Sequence, residues 1–125
     1  MQQPKRILLI DEDFDHLLIC SLLLQREAYE VRAVAGCEKM DDLIEVVRSF
    51  RPGLIFMDHD MRGICGMDLT KMLKSLEEFN GIPIIYFTDR SDIVKLAKEA
   101  GADGYFKKPF DTNGLIEFTR RYLGQ

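Results

Sequence analysis

The chain has 125 residues, of which 46% are hydrophobic and 30% charged, enough for one ordered globular domain with a buried core. Its net charge of −4, with basic residues scattered singly or in pairs, leaves no electrostatic footprint for nucleic acid, and no direct nucleic-acid role is expected. The apolar runs are too short to span a membrane, Met1 to Arg6 is polar with no cleavable apolar run behind it, and Cys20, Cys37 and Cys65 form no CxxC pair, so a cytoplasmic protein with free thiols is expected.

Arg6 to Ile10 is a short apolar run that ends in acids and reads as a buried strand. Asp13 is placed to cap a helix over Phe14 to Glu27, in which Leu17, Leu18, Leu22 and Leu24 fall at helical spacing and His16 is expected to face solvent. Tyr29 to Ala35 is β-rich and ends at Gly36. Cys37 to Phe50 carries Met40, Leu43, Ile44 and Val47 on one helical face, before Pro52 and Gly53 break the chain. Leu54 to Met57 is a third apolar strand, again ending in acids. Met67 to Phe79 reads as a helix with Leu69, Met72, Leu73 and Leu76 on one side, stopped at Asn80-Gly81. Ile82 to Phe87 is a fourth strand. Ser91 is a candidate N-cap for a short helix, Asp92 to Ala100, that Gly101 ends. Gly104 to Phe106 is a fifth strand, and Asp111 is placed to cap a last helix, Thr112 to Leu123. No repeat, linker or low-complexity tract interrupts the pattern, so residues 1–125 read as one domain with no output domain attached.

Apolar strands alternating with amphipathic helices imply an α/β fold, a parallel sheet covered by helices on both faces. In such a sheet the ligand site lies outside the carboxyl ends of the strands, where strand order reverses. What ends each strand is therefore the informative feature. The first ends in Asp11-Glu12-Asp13, the third in Asp58-His59-Asp60, the fourth in Thr88-Asp89, and the fifth runs into Lys107-Lys108-Pro109. Two carboxylates about 4 Å apart repel by about 4 kcal/mol at an effective dielectric near 20, so such a cluster calls for a cation. Magnesium takes carboxylate oxygens, waters and a phosphate oxygen, and a carboxylate can itself attack phosphorus to form an aspartyl phosphate. The cluster thus reads as a magnesium (or manganese) site serving phosphoryl transfer.

At these residues the chain resembles the receiver domain of two-component response regulators. The resemblance runs from Ile7 to Leu123. It is carried by Ile-Leu-Leu-Ile-Asp11-Glu12-Asp13, by Leu54-Ile-Phe-Met-Asp58 with Gly66 beyond it, by Ile-Pro-Ile-Ile-Tyr-Phe-Thr88, and by Gly101-Ala-Asp-Gly-Tyr105-Phe-Lys-Lys108-Pro109-Phe110. It implies a (βα)5 flavodoxin-like doubly wound sheet of order 2-1-3-4-5. It implies Asp58 as phosphoacceptor, Asp11, Glu12, Asp58 and Asp60 about the metal (Asp60 through its carbonyl), Lys108 on the phosphate, Thr88 moving to bond it, and Tyr105 as an aromatic switch. The implied donor is a histidine kinase or histidine phosphotransfer protein. The implied output is a homodimer or effector contact through the fourth helix, fifth strand and fifth helix.

Four positions depart from the family pattern. Arg62 stands where proline is usual. Asp89 follows Thr88 where a small residue is usual. The segment from Thr88 to Lys108 is short. Asp60 and Arg90, each two residues beyond Asp58 and Thr88, are expected to pair across the mouth of the site and gate it. His59, by strand alternation, is expected to point away from Asp58 into a structural or surface role. Two other readings remain open at this point. Leu-Ile-Phe-Met-Asp58-His-Asp60 also fits the Asp-x-Asp strand of haloacid-dehalogenase-like phosphatases, and a receiver-like binding module could dispense with phosphate.

Overall fold

The computed structural model describes residues 5–35, 39–108 and 111–124. Five strands, β1 (Arg6–Ile10), β2 (Glu30–Val34), β3 (Leu54–Met57), β4 (Ile84–Thr88) and β5 (Gly104–Lys107), alternate with five helices. The helices are α1 (Phe14–Arg26), α2 (Met40–Phe50), α3 (Gly66–Ser75), α4 (Ile93–Ala100) and α5 (Thr112–Leu123). All strand pairs are parallel, in the order β2-β1-β3-β4-β5, as the resemblance implies. The reversal falls between β1 and β3, which places the expected site at their carboxyl ends.

Strand alternation builds two cores. Leu8, Ile10, Ile55, Met57, Ile84 and Tyr86 face the side covered by α2, α3 and α4. Ile7, Leu9, Leu54, Phe56, Ile85 and Phe87 face the side covered by α1 and α5. The three central strands are buried on both faces, which is why each reads as a continuous apolar run rather than an alternating one. The edge strands β2 and β5 are half-exposed, in keeping with their mixed composition.

The structure corrects four expectations about helices. In α1 the buried row is Leu17, Cys20 and Leu24, while Leu18 and Leu22 are 52% and 53% exposed. Helical spacing gives a period but not a phase, and the phase is set by what the sheet offers. His16, expected at the surface, is turned inward with a side chain only 16% exposed. The third helix ends early: Leu76 is extended at φ −90°, ψ 120°, and a 3-10 turn over Glu77–Phe79 tucks Phe79 into the core. The fourth helix begins at Ile93 without a side-chain cap from Ser91 or Asp92, because the Asp92 carboxylate is taken by Arg90 (3.0 and 3.2 Å). At eight residues it is short, as the Thr88–Lys108 spacing predicts.

The Asp13 and Asp111 caps form as expected, accepting from His16 N and Gly114 N. Gly36, Cys37, Pro109 and Phe110, which figured in the sequence reading, lie outside the described residues.

Candidate functional site

Register brings the acids together. Ile10 pairs with Met57, so Asp11 and Asp58 are the next neighbours. The ladder continues through both of them: Asp58 N donates to Ile10 O at 3.0 Å, and Asp11 N to Val34 O at 3.1 Å. Asp11 and Asp58 are both buried, at 4% and 8% exposure. Thr88 is paired with Lys107 and is also buried, and Lys108 N donates to Thr88 O at 3.0 Å, which brings the lysine back to the sheet edge. Asp11, Glu12, Asp13, Asp58, Asp60, Thr88, Asp89 and Lys108 line one open cleft of about 340 Å³.

The loop after Asp58 can only close against this edge with glycine at 66. Gly66 N donates to His59 O at 3.0 Å, and a Cβ added at Gly66 would lie 1.9 Å from the Asp58 carbonyl oxygen. The first turn of α3 therefore rests directly on the Asp58 backbone. His59 points the other way from Asp58, as alternation predicts, and its Nδ1 lies 3.2 Å from the hydroxyl of buried Tyr86.

Asp11 holds most of the local wiring. Its Oδ1 accepts from Asp13 N at 2.9 Å, and its Oδ2 is shared by Lys108 Nζ at 2.6 Å and His16 Nδ1 at 3.1 Å. Burial pushes its pKa up, but the hydrogen bonds from His16 and Lys108 outweigh it and hold the carboxyl well below the usual range. Asp58 goes the opposite way. Burial, and then the charge on Asp11, push it up to about 7 against the opposing pull of Lys108. Two neighbouring carboxylates that titrate so far apart mark a site short of positive charge. Lys108 answers part of that shortage and also sits 5.6 Å over the ring of Phe87.

The residues fit a hard divalent cation. Glu12 Oε1 is buried and accepts no hydrogen bond; its neighbour is Arg62, whose Nε is 2.9 Å away but not aligned as a donor. Among the described residues no three ligating side chains close into a ready-made metal cage. Magnesium does not require one, since it keeps several waters and commonly takes only one or two carboxylates.

The mouth is charged as well. Arg90 Nη1 reaches Asp60 at 3.2 and 3.4 Å, which realises the pair expected across the cleft. The arginine is also held from its other side by Asp92, a fork the sequence reading missed. Asp60 therefore presents its carboxylate to Arg90. Asp89 is exposed on the cleft wall. Asp13 is exposed and caps α1, so it has a structural task. Tyr105 is 47% exposed on β5, beside Tyr86. His16 is the site residue that sequence reasoning missed. The row 16, 20, 24 would have flagged it, but the leucines drew the helical face elsewhere.

Residues 7–120 match the family model of the response regulator receiver domain. The chain is 29% identical to the polar-differentiation response regulator DivK of Brucella anthropi, over 97% of this chain and 98% of that one. It is 26% identical to sporulation initiation phosphotransferase F of Bacillus subtilis, over 95% and 94%. It is 33% identical to a 76.5 kDa protein of Thiocystis violacea, covering 89% of this chain but only 16% of that protein. A solved response regulator from Chloroflexus aurantiacus, 26% identical, superposes with a TM-score of 0.85 over 98% of this chain and all of the other.

Proposed function

The chain belongs to the response regulator receiver family of two-component signalling, and from that premise we propose that Asp58 accepts a phosphoryl group from a phosphohistidine donor and that the domain switches state when it does. The observation that carries this reading is the register-fixed pair of buried acids, Asp11 and Asp58, with Lys108 bridging to the first. In the transfer, an Asp58 carboxylate oxygen forms the bond to phosphorus. The bond from phosphorus to the donor imidazole nitrogen breaks, and that nitrogen keeps the electron pair. Asp11, Glu12, Asp58 and the Asp60 carbonyl would hold magnesium or manganese, which would supply positive charge to the transferring oxygens.

Lys108 Nζ exchanges Asp11 for a phosphoryl oxygen, and the Thr88 hydroxyl donates to another. Thr88 Oγ1 now accepts from Arg90 N at a long 3.4 Å, so little is lost when it turns. Its movement opens room for Tyr105 to follow inward, a population shift driven by the phosphoryl group's differential contacts with the two states. The domain is a cytoplasmic signalling module that acts on its own side chain. The match to the receiver family model favours this reading over the haloacid-dehalogenase-like phosphatase, which would use Asp60 as general acid.

The donor is a histidine kinase or a phosphotransfer protein. Phe14, Leu18 and Leu22 form an exposed apolar row at i, i+4, i+8 on α1, beginning next to the acid cluster. That row suits an apolar stripe on the donor's helix beside its phosphohistidine. The output contact, to an effector or a second copy, is assigned to α4, β5 and α5, where Val94 and Tyr105 are exposed.

The test is incubation with acetyl phosphate and magnesium followed by intact mass. The expected result is a gain of one phosphoryl group that disappears in Asp58→Asn and on chelation. No gain from acetyl phosphate or from any phosphohistidine donor would leave a phosphate-independent binding module instead.

A further inference from the structure

We infer that His16 is a positioning residue for the metal-binding carboxylate: its Nδ1–H holds Asp11 Oδ2 in place when Lys108 leaves that same oxygen for the phosphoryl group. The inference rests on the reading of Asp58 as a metal-dependent phosphoacceptor. Two donors share one oxygen, Lys108 Nζ at 2.6 Å and His16 Nδ1 at 3.1 Å. An ionised carboxylate only accepts hydrogen bonds, so in this contact His16 Nδ1 carries a proton, as it does in the Nδ1–H tautomer.

The rest of the ring's surroundings suit that tautomer. Nε2 lies 3.6 Å from Cys20 Sγ, and burial pushes the Cys20 thiol up to about 12, so it stays an S–H able to donate to the bare nitrogen. The ring stands edge-on to Phe87, with centroids 4.8 Å apart. The space around Leu9, Leu17, Cys20 and Phe56 is only about 10 Å³, too small to admit a ligand, so His16 is not lining a second pocket. What results is a relay of fixed dipoles: Cys20 Sγ–H to His16 Nε2, and His16 Nδ1–H to Asp11.

The arrangement matters because Lys108 serves two clients. While it rests on Asp11 it compensates a buried charge. Once it moves to phosphate, Asp11 Oδ2 loses the nearer of these two donors, and His16 is the one of the pair left to keep it in its ligating pose. The imidazole stays behind on Asp11, kept in place by its edge-on contact with Phe87. Outer-sphere partners of this kind typically contribute about 10–100-fold to metal affinity.

The test compares wild type, His16→Leu and His16→Asn. Leucine fills the apolar wall without a donor. Asparagine carries an N–H at the position of Nδ1. Mg2+ binding is read directly by titration calorimetry, and the phosphorylation rate with acetyl phosphate is read at limiting and at saturating Mg2+. We expect His16→Leu to bind Mg2+ about 10-fold or more weakly, and His16→Asn to recover most of that loss. The rate defect of the leucine variant should shrink at saturating Mg2+. Wild-type affinity in His16→Leu, or equal weakness in both variants, overturns the inference. Should His16→Leu fail to fold, the 15N spectrum of the wild-type imidazole decides: protonation at Nδ1 is expected, and protonation at Nε2 alone overturns it. A wild-type protein that neither binds Mg2+ nor takes a phosphoryl group removes the underlying reading, and the inference with it.

Discussion

Replacing Asp58 with asparagine should stabilise the metal-free domain, and by an amount that depends on pH. The Asp58 carboxyl is buried and pushed from 3.8 to about 7, by burial first and by Asp11 second. Below about pH 4 both the folded and unfolded chains hold this proton, and Asp58 contributes nothing to the pH dependence. As pH rises, the unfolded chain releases the proton first, so the folded state binds more protons and stability falls until about pH 7. Above that both states are ionised and the cost is constant. At 1.36 kcal/mol per pKa unit, the penalty reaches at most about 2 kcal/mol at about pH 5 and about 4 kcal/mol at about pH 8. Asparagine keeps the acceptor that His59 N uses at 2.8 Å and removes the titration. Urea denaturation of both proteins in chelator, at about pH 5 and about pH 8, should show the variant gaining about 2–3 kcal/mol more at the higher pH. Excess magnesium should narrow the gap by stabilising wild type through binding. A gap that does not change with pH, or a variant less stable than wild type at about pH 8, would refute the account of the acid pair.

Three further outcomes are expected. Gly66→Ala must push α3 off the Asp58 carbonyl, costing about 1–3 kcal/mol in denaturation and slowing phosphorylation, whereas Gly81→Ala, which meets nothing within 4 Å, should do neither. Leu18→Glu should leave acetyl-phosphate labelling intact while lowering transfer from a phosphohistidine protein at least 10-fold, because it charges the apolar row outside the cleft; equal rates from the protein donor would remove α1 from the docking surface. Asp60→Asn and Arg90→Gln, singly and together, should change phosphoryl lifetime non-additively, with coupling of about 0.5 kcal/mol or more for side chains in direct contact, while fold stability moves by less than about 1 kcal/mol; additive effects on lifetime would sink the gate.

The order of elements, the two-sided burial of the central strands and the acids at their ends were legible in the sequence, because each is a property of short consecutive segments. An apolar run of four or five residues that stops at an acid states both where a strand lies and which of its ends is chemical. From there a parallel sheet forces Asp11, Asp58, Thr88 and Lys108 to one edge, whatever the details. Even the Asp60–Arg90 pair followed, since equal offsets beyond Asp58 and Thr88, at the ends of neighbouring strands, land on the same rim.

Tertiary structure alone decided the matters of phase and choice of partner. The sequence carries the helical period of α1, but the sheet selects its phase, and it buries His16 and Cys20 rather than Leu18 and Leu22. Lys108 could have met any of several carboxylates; the registers that place Asp11 beside Asp58 and Lys107 beside Thr88 give it Asp11. Arg62 reaches Glu12 only through the path of the loop after Asp58, where Gly63 takes a positive φ of 83°. Period, composition and spacing act along the chain. Which charge meets which is settled across it, by distances that exist only once the strands are side by side.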